Sequence, residues 1–302
     1  MTGFTDASVP DQSGKCFIVT GANTGLGFEA TSVLASRGAR VLLACRSEEK
    51  AQSAMTRIAQ RVPGADLGYL PLDQGDLASV HRAAEIAARE PRIDVLVNNA
   101  GIMMTPLGLT QDGFEQQFGV NHLGTFALTC LLLPKLAETS GARVVVTSSL
   151  AHSIGVIDFA NLDGAKGYAP QKSYSQSKLA NLLFMLELDR RLRAARSPVS
   201  ALACHPGVAA TELMRHSALL QIFNPLFGAV LNTAAMGAWP TLNAATAPDA
   251  KAGGFYGPQA LGQLRGPSGE VRRAKRARDE DTARRLWNTS IKMTGIDPRL
   301  PD

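Results

Sequence analysis

A tyrosine and a lysine four residues apart, in Tyr174-Ser-Gln-Ser-Lys178, are the side chains best suited by type and spacing to move a proton. On a helix, positions i and i+4 share one face, so phenol and ammonium point the same way. A free phenol has a pKa of about 10, and bringing it to about 7 takes roughly 4 kcal/mol at about 1.36 kcal/mol per unit. A unit positive charge about 4 Å away supplies on the order of 4 kcal/mol at an effective dielectric of about 20. One lysine is therefore enough to make the tyrosine a proton donor and acceptor near neutral pH. Ser149, at the end of Val-Val-Val-Thr-Ser-Ser, places a hydroxyl upstream of the pair. A bare Tyr-x-x-x-Lys is common, so its meaning rests on the elements that position it.

Those elements alternate. Cys16–Thr20, Arg40–Ala44, Leu67–Leu72, Asp94–Val97, Arg143–Thr147 and Val199–Cys204 are compact apolar runs that read as buried strands. Helical patterns lie between them at Gly25–Arg37, Glu48–Gln60, Leu77–Ala88, Asp112–Leu136 and Ser175–Arg193. Gly38 is a natural helix stop. Gly253-Gly-Phe-Tyr-Gly257 adds a final strand. This order predicts one α/β domain over residues 1–302, with a doubly wound, parallel, seven-stranded sheet and helices on both faces. No repeat or linker divides it. Ala151–Ser173 and Leu213–Asn232 depart from the alternation, each after a strand, on the side where such sheets bind ligands.

Directly after the first strand comes Thr20-Gly-Ala-Asn-Thr-Gly-Leu-Gly27, running into a helix. Glycines there let the backbone turn sharply and approach a pyrophosphate, while the helix N-terminus presents free N–H groups to the anion. A tight turn alone would need fewer glycines. An NAD site usually carries an acid at the end of strand two to bond the ribose 2′-OH. Here the place reads Ala44-Cys45-Arg46, with no carboxylate before Glu48. Arg46 is suited to clamp a 2′-phosphate, which selects NADP(H) over NAD(H). The competing role for Arg46 is a surface residue stacked on adenine.

Whole-chain composition is that of an ordinary globular protein: 302 residues, 45% hydrophobic and 19% charged, with a net charge of +5. The basic run Val271–Arg278 is followed at once by Asp279-Glu280-Asp281, so it reads as a solvated, salt-bridged C-terminal helix rather than a nucleic-acid site. Cys16, Cys45, Cys130 and Cys204 form no C-x-x-C pair and read as buried free thiols in a reducing compartment. His122, His152 and His205 show no metal-ligand spacing, and structural roles are expected for them. Residues 1–14 are polar, and the apolar stretches Ala127–Leu133 and Leu219–Leu231 are too short or interrupted to span a bilayer. A cytoplasmic address follows as the expectation.

With loop, strand order and Tyr/Lys pair in place, the chain resembles a short-chain dehydrogenase/reductase from Lys15 to its C-terminal helix. The resemblance assigns Gly21, Asn23, Thr24, Gly25, Leu26 and Gly27 to the cofactor loop and Asp73 to the adenine-contacting acid after strand three. Asn98-Asn-Ala-Gly101 resembles the strand-four motif and places Asn99, Ala100 and Gly101 beside the cofactor. Asn121, Ser149, Tyr174 and Lys178 match the catalytic set. His205-Pro-Gly207, with Val208 and Thr211, resembles the segment that covers the nicotinamide and its phosphates. Asn98 itself is expected to tie strands together.

The mechanism this implies has Tyr174 giving a proton to a carbonyl oxygen or taking one from an alcohol. Lys178 lowers the tyrosine pKa and bonds the nicotinamide ribose, Ser149 polarises the substrate oxygen, and Asn121 holds a water linking Lys178 to solvent. Ala44-Cys-Arg46, Ser149-Leu-Ala-His152, Ser177-Lys-Leu-Ala-Asn181 and the long Ser149–Tyr174 interval resemble the retinol-dehydrogenase-like branch most closely. Membrane-bound retinol dehydrogenases carry an N-terminal apolar anchor that is missing here, which counts against retinol itself. Gln74-Gly75 departs from the apolar residue that often follows the acid.

Residues 213–232 are apolar and nearly uncharged, and read as a substrate lid for a bulky hydrophobic aldehyde, ketone or alcohol. A buried helix or an apolar surface resting on a partner is the competing reading. Met103, Met104, Met185 and Met214 are pocket-wall or core candidates. Residues 151–173 form an arm beside Tyr174; in the monomeric carbonyl reductases that the chain resembles, such an insertion covers the dimerisation helices, so monomer and homo-oligomer both stand. The leading expectation is an NADP(H)-dependent carbonyl reductase or alcohol dehydrogenase. Reduction of an activated C=C bond, as in protochlorophyllide reductases, is a rival that Asn98–Gly101 disfavours. A non-catalytic NADP-binding sensor is the rival from another class, and it has no need of an intact Asn121/Ser149/Tyr174/Lys178 set.

Overall fold

The computed structural model describes residues 3–208 and 232–302. Strands β1 (Cys16–Thr20), β2 (Arg40–Cys45), β3 (Leu67–Pro71), β4 (Val95–Asn98), β5 (Arg143–Thr147), β6 (Ser200–Cys204), β7 (Phe255–Ala260) and β8 (Arg265–Glu270) form one sheet. Their order is β3-β2-β1-β4-β5-β6-β7-β8. β1 to β7 are parallel, as expected for strands joined by helical crossovers.

Alternation along the strands builds two cores. Phe17 and Val19 of β1 face one side, with α1 (Gly25–Ser36), α2 (Glu48–Arg61) and α6 (Ala234–Thr246). Cys16 and Ile18 face the other, with α3 (Leu77–Ala87), α4 (Gln116–Ala137), α5 (Pro170–Ala194) and α7 (Glu280–Thr294). Both faces are therefore covered, which is why the strands read as continuous apolar runs. All four cysteines are buried free thiols, as expected.

The expected seven-stranded parallel sheet is one strand short. β8 returns antiparallel to β7 through a turn in which Leu261, Gly262 and Gln263 all have positive φ. Arg265-Gly-Pro-Ser-Gly-Glu270 has no apolar alternation, so pairing with β7 makes this strand and local pattern does not.

Helix boundaries also differ. α5 begins at Pro170, five residues before the expected Ser175, with proline at the first helical position, where its fixed φ and missing N–H cost least. The last residues of the expected arm are thus the first turn of α5. α4 starts at Gln116, where the Glu115 carboxylate accepts the N–H groups of Gln117 and Phe118 at 2.9 and 2.7 Å. Its residues Gly119–Leu123 widen into a π-turn, a feature common at functional sites. The basic run is not a helix: only Lys275–Arg278 forms a short 3-10 turn, and α7 starts after it, capped by Asp279. The expected lid lies outside the described residues except for Asn232, and Met214 lies outside them altogether.

Candidate active site

A cleft of about 710 Å³ opens at the C-terminal ends of β1 and β4, where the strand order reverses. Open α/β sheets bind nucleotides at this switch point. Gly21, Asn23, Thr24, Gly25 and Leu26, Arg46, Asp73, and Asn99, Ala100 and Gly101 all line it. Gly21 and Gly25 have φ of 66° and 57°. Gly27 is required sterically, because a Cβ there would collide with the Gly21 carbonyl and stand 2.6 Å from Asn99 Nδ2. The Thr20 hydroxyl accepts the N–H groups of Asn99 and Ala100 at 3.0 and 2.9 Å, while Asn99 Nδ2 donates to the Thr20 carbonyl at 2.8 Å. These bonds fix the ends of β1 and β4 as one cradle. Thr24, the N-cap of α1, makes no side-chain cap bond, so the first-turn N–H groups of α1 remain available to an anion. The cradle fits a dinucleotide pyrophosphate.

The sequence reading missed part of the wall. Lys50, Ser53 and Arg57 line the cleft on α2, and together with Arg46 they bring three cations against the carboxylates Glu49 and Asp73. Their helical spacing was the available signal. Arg57 also lies over the Phe28 ring, 4.3 Å from its centroid. Asp73 Oδ1 accepts the Gly75 N–H at 2.9 Å, so the Gln74-Gly75 departure shapes the turn that carries the acid.

Asn121, Ser149, Tyr174 and Lys178 do not line this cleft; they converge beside it. A Cβ on Gly101 would stand 3.1 Å from Asn121 Oδ1 and 3.2 Å from Lys178 Nζ, so Gly101 is the point where the cradle meets Asn121 and Lys178. Asn121, inside the π-turn of α4, donates from Nδ2 to the Ile102 carbonyl and to Ser177 Oγ, each at 2.9 Å, and accepts the Ile102 N–H at 2.7 Å. Both amide hydrogens are engaged, and one lone pair of Oδ1 remains. Asn98 donates to Thr129 Oγ1 at 2.9 Å, tying β4 to α4 rather than to a neighbouring strand.

Lys178 is buried, and its Nζ lies 5.8 Å from the Tyr174 ring centroid and donates to the Thr147 carbonyl at 3.4 Å. Burial lowers its pKa to about 8, opposed by the nearby Cys204. The Tyr174 phenol is raised above its ordinary value by burial, with a hydrogen bond to Ser149 acting in the opposite direction. In the protein alone, desolvation outweighs the Ser149 hydrogen bond, and the lowering expected from Lys178 does not contribute. Ser149 Oγ also accepts the Ala151 N–H at 3.2 Å. Pro206, Gly207 and Val208 follow β6. Gly207 has φ of 70°, Val208 N–H donates to the Leu264 carbonyl at 3.1 Å, and Pro206 accepts from Asn232 Nδ2 at 3.0 Å. Thr211 lies outside the described residues. Met185 is core, and Met104 is exposed on the loop after β4.

A family model described as short chain dehydrogenase matches residues 15–219. Retinol dehydrogenase 12 of Mus musculus is 42% identical over 293 residues, covering 97% of this chain and 89% of that protein. Retinol dehydrogenase 11 of Homo sapiens is 41% identical over 286 residues, covering 94% and 86%. A solved structure of an uncharacterized protein from Mycobacterium paratuberculosis matches with a TM-score of 0.83 and 42% identity, covering 99% of this chain and 100% of that one. The expected cytoplasmic address does not stand. The chain's relatives are named for retinol, an apolar alcohol that partitions into membranes. In addition, α4 is long and apolar enough by composition to cross a bilayer, against the expectation of no such segment, although 72% of its apolar window is buried in the fold.

Proposed function

Because the chain belongs to the short-chain dehydrogenase family, in its retinol-dehydrogenase-like branch, we propose that it is an NADP(H)-dependent oxidoreductase of a hydrophobic aldehyde or ketone, or of the corresponding alcohol. The observation that carries this reading is the meeting at Gly101 of a nucleotide cradle with Asn121 and Lys178, beside a Tyr174 phenol bonded to Ser149. The family binds a nicotinamide cofactor, which when bound supplies or accepts the hydride. The protein's own part is to hold substrate and proton. Ser149 Oγ and the Tyr174 phenol form a paired hydrogen-bonding site for one substrate oxygen, and Tyr174 transfers the proton at that oxygen. Lys178, with donors beyond its single bond to Thr147, is suited to hold the nicotinamide ribose and to favour the phenolate once the oxidised ring adds its charge. The free lone pair of Asn121 Oδ1, next to Lys178, is where a relay water would bond.

The preference for NADP(H) rests on Arg46 with Lys50 and Arg57 on the wall where an acid would serve NAD(H). A hydrophobic substrate is supported by the relatives' named one. The test is a screen of NADPH and NADH oxidation, followed by nicotinamide absorbance, against aldehydes, ketones and enones of increasing size. Turnover of apolar carbonyls with NADPH is expected. Turnover of enones alone would replace the reading with C=C reduction, and tight NADPH binding without any turnover would replace it with a sensor.

A further inference from the structure

His152 and His205 pack against the same aromatic ring, and their hydrogen bonds fix both protons. The backbone N–H of Ala274 donates to His152 Nε2 at 3.1 Å, so that nitrogen is bare and the proton is on Nδ1, which donates to the Ser149 carbonyl at 2.6 Å. His205 has the opposite tautomer. The Gly207 N–H donates to its Nδ1 at 3.1 Å, so Nε2 carries the proton and donates to Gln263 Oε1 at 3.0 Å. The Phe255 ring packs against both, with centroids 5.5 Å from His152 and 5.1 Å from His205. β7 makes room for this arrangement: a Cβ at Gly257 would collide with the His205 ring.

Each imidazole therefore bridges an active-site backbone and the C-terminal segment. His152 joins Ser149, after β5, to Ala274, while His205 joins Gly207, after β6, to Gln263 in the β7–β8 turn. That turn is itself anchored, since Gln263 Nε2 donates to the Arg272 carbonyl at 3.3 Å. Burial disfavours the charged form of both rings, in keeping with each having one nitrogen that must accept.

We propose that His152 and His205 are positioning residues: a pair of neutral imidazoles that clamps Ser149 and Gly207 to the C-terminal hairpin. The proposal rests on the reading of Ser149 as the substrate-oxygen partner and Gly207 as part of the cofactor cover. His152 acts on the chemical step through Ser149, and His205 acts on cofactor holding through Gly207. A displacement of about 1 Å at a reacting group costs up to about a hundredfold in rate, so the two should separate in kinetics.

His152→Phe is expected to lower kcat at least about tenfold with NADPH affinity unchanged. His152→Asn keeps an N–H for the Ser149 carbonyl and is expected to recover part of the loss. His205→Phe is expected to weaken NADPH binding at least about tenfold while kcat at saturating NADPH stays within about threefold. His205→Asn, whose side-chain oxygen can accept the N–H two residues on, is expected to restore binding. Equal losses of kcat and NADPH affinity in both phenylalanine variants, or no loss in either, would overturn the proposal. A readout free of turnover and of variants' folding is 15N NMR of the histidine rings in the unaltered protein. His152 as the Nδ1–H tautomer and His205 as Nε2–H are expected, and the reverse tautomers or averaged rings would refute the clamp. If no carbonyl is turned over, the functional reading fails while the NMR result and NADPH binding by the His205 variants still decide the clamp.

Discussion

At Tyr174 the protein works against its own chemistry. Burial favours the neutral phenol, and among the described residues the one opposing group is Ser149, which by itself does not make a proton acceptor of it near neutrality. In the proposed mechanism, proton transfer at Tyr174 would depend on charges that arrive with the cofactor and on Lys178, whose ammonium is retained below a pKa of about 8. Tyr174→Phe removes the transferable proton without changing the fill of the site, and is expected to cut turnover by roughly a hundredfold to ten-thousandfold. Calorimetric titration with NADPH should give an unchanged Kd; a weakened Kd would reassign Tyr174 to binding. Arg46 is a second single-residue case. A charged hydrogen bond is worth about 1.5–3 kcal/mol, so Arg46→Asp should lose roughly tenfold to a hundredfold in NADPH affinity and gain for NADH. The ratio of kcat/KM values for the two cofactors measures this. A smaller effect would shift the selection to Lys50 and Arg57 on the same wall.

At the scale of elements, what was legible in the sequence was what local pattern determines. β1, β5 and the start of α1 fall where apolar runs and the Thr20–Gly27 loop put them. β8 was not legible, because Arg265–Glu270 is a strand only through its pairing with β7. The early start of α5 was hidden because Pro170 reads as a breaker unless it is known to occupy the first turn. Gly21, Asn23, Thr24, Gly25 and Leu26 of the loop motif line the cleft as the motif leads one to expect, whereas Lys50, Ser53 and Arg57 line it without a motif, since a polar helix face looks the same toward solvent or toward a cleft. The tautomers of His152 and His205 lay beyond the sequence altogether, being set by N–H groups of Ala274 and Gly207. The loop itself yields a prediction. Gly27→Ala drives a Cβ into the Gly21 carbonyl and against Asn99, both part of the β1–β4 cradle. Overpacking of this kind costs about 1–3 kcal/mol, and the displaced loop should weaken NADPH binding at least about tenfold. Thermal denaturation and NADPH titration check the two parts. Wild-type affinity with a lowered melting temperature would mean that the loop's shape, though strained, still fits the cofactor.

For the molecule as a whole, buried histidines set how it meets acid. His122 in α4 is held by burial near a pKa of about 3, His205 near about 4, and His152 is lowered as well. His122 Nε2 bonds Ser290 Oγ at 2.8 Å, joining the π-turn to α7, so these rings lie where distant parts of the chain meet. Unfolding releases each to an ordinary value near 6.5, and the unfolded chain then binds protons that the folded one refuses. Their contribution to stability is therefore complete above pH 6.5 and is lost progressively as pH falls toward 4 and 3. Carboxylates stabilised by ion pairs, such as Glu90 with Arg40 and Glu187 with Arg190 and Arg191, lose their contribution only below the ordinary value of 4.5. Asp189 acts in the opposite sense, because burial raises its carboxyl and protonation relieves it. Between pH 6.5 and 4.5 the histidines should dominate. Chemical denaturation across that window is expected to show stability falling by about 1.4 kcal/mol per pH unit for each fully protonating histidine of the unfolded chain. Replacing His205 with Asn, which cannot titrate, should remove one such increment from the slope and leave the steeper loss below pH 4.5. A slope unchanged by that substitution would mean that His205 takes up its proton in the folded protein, and the clamp on Gly207 would then open before the protein unfolds.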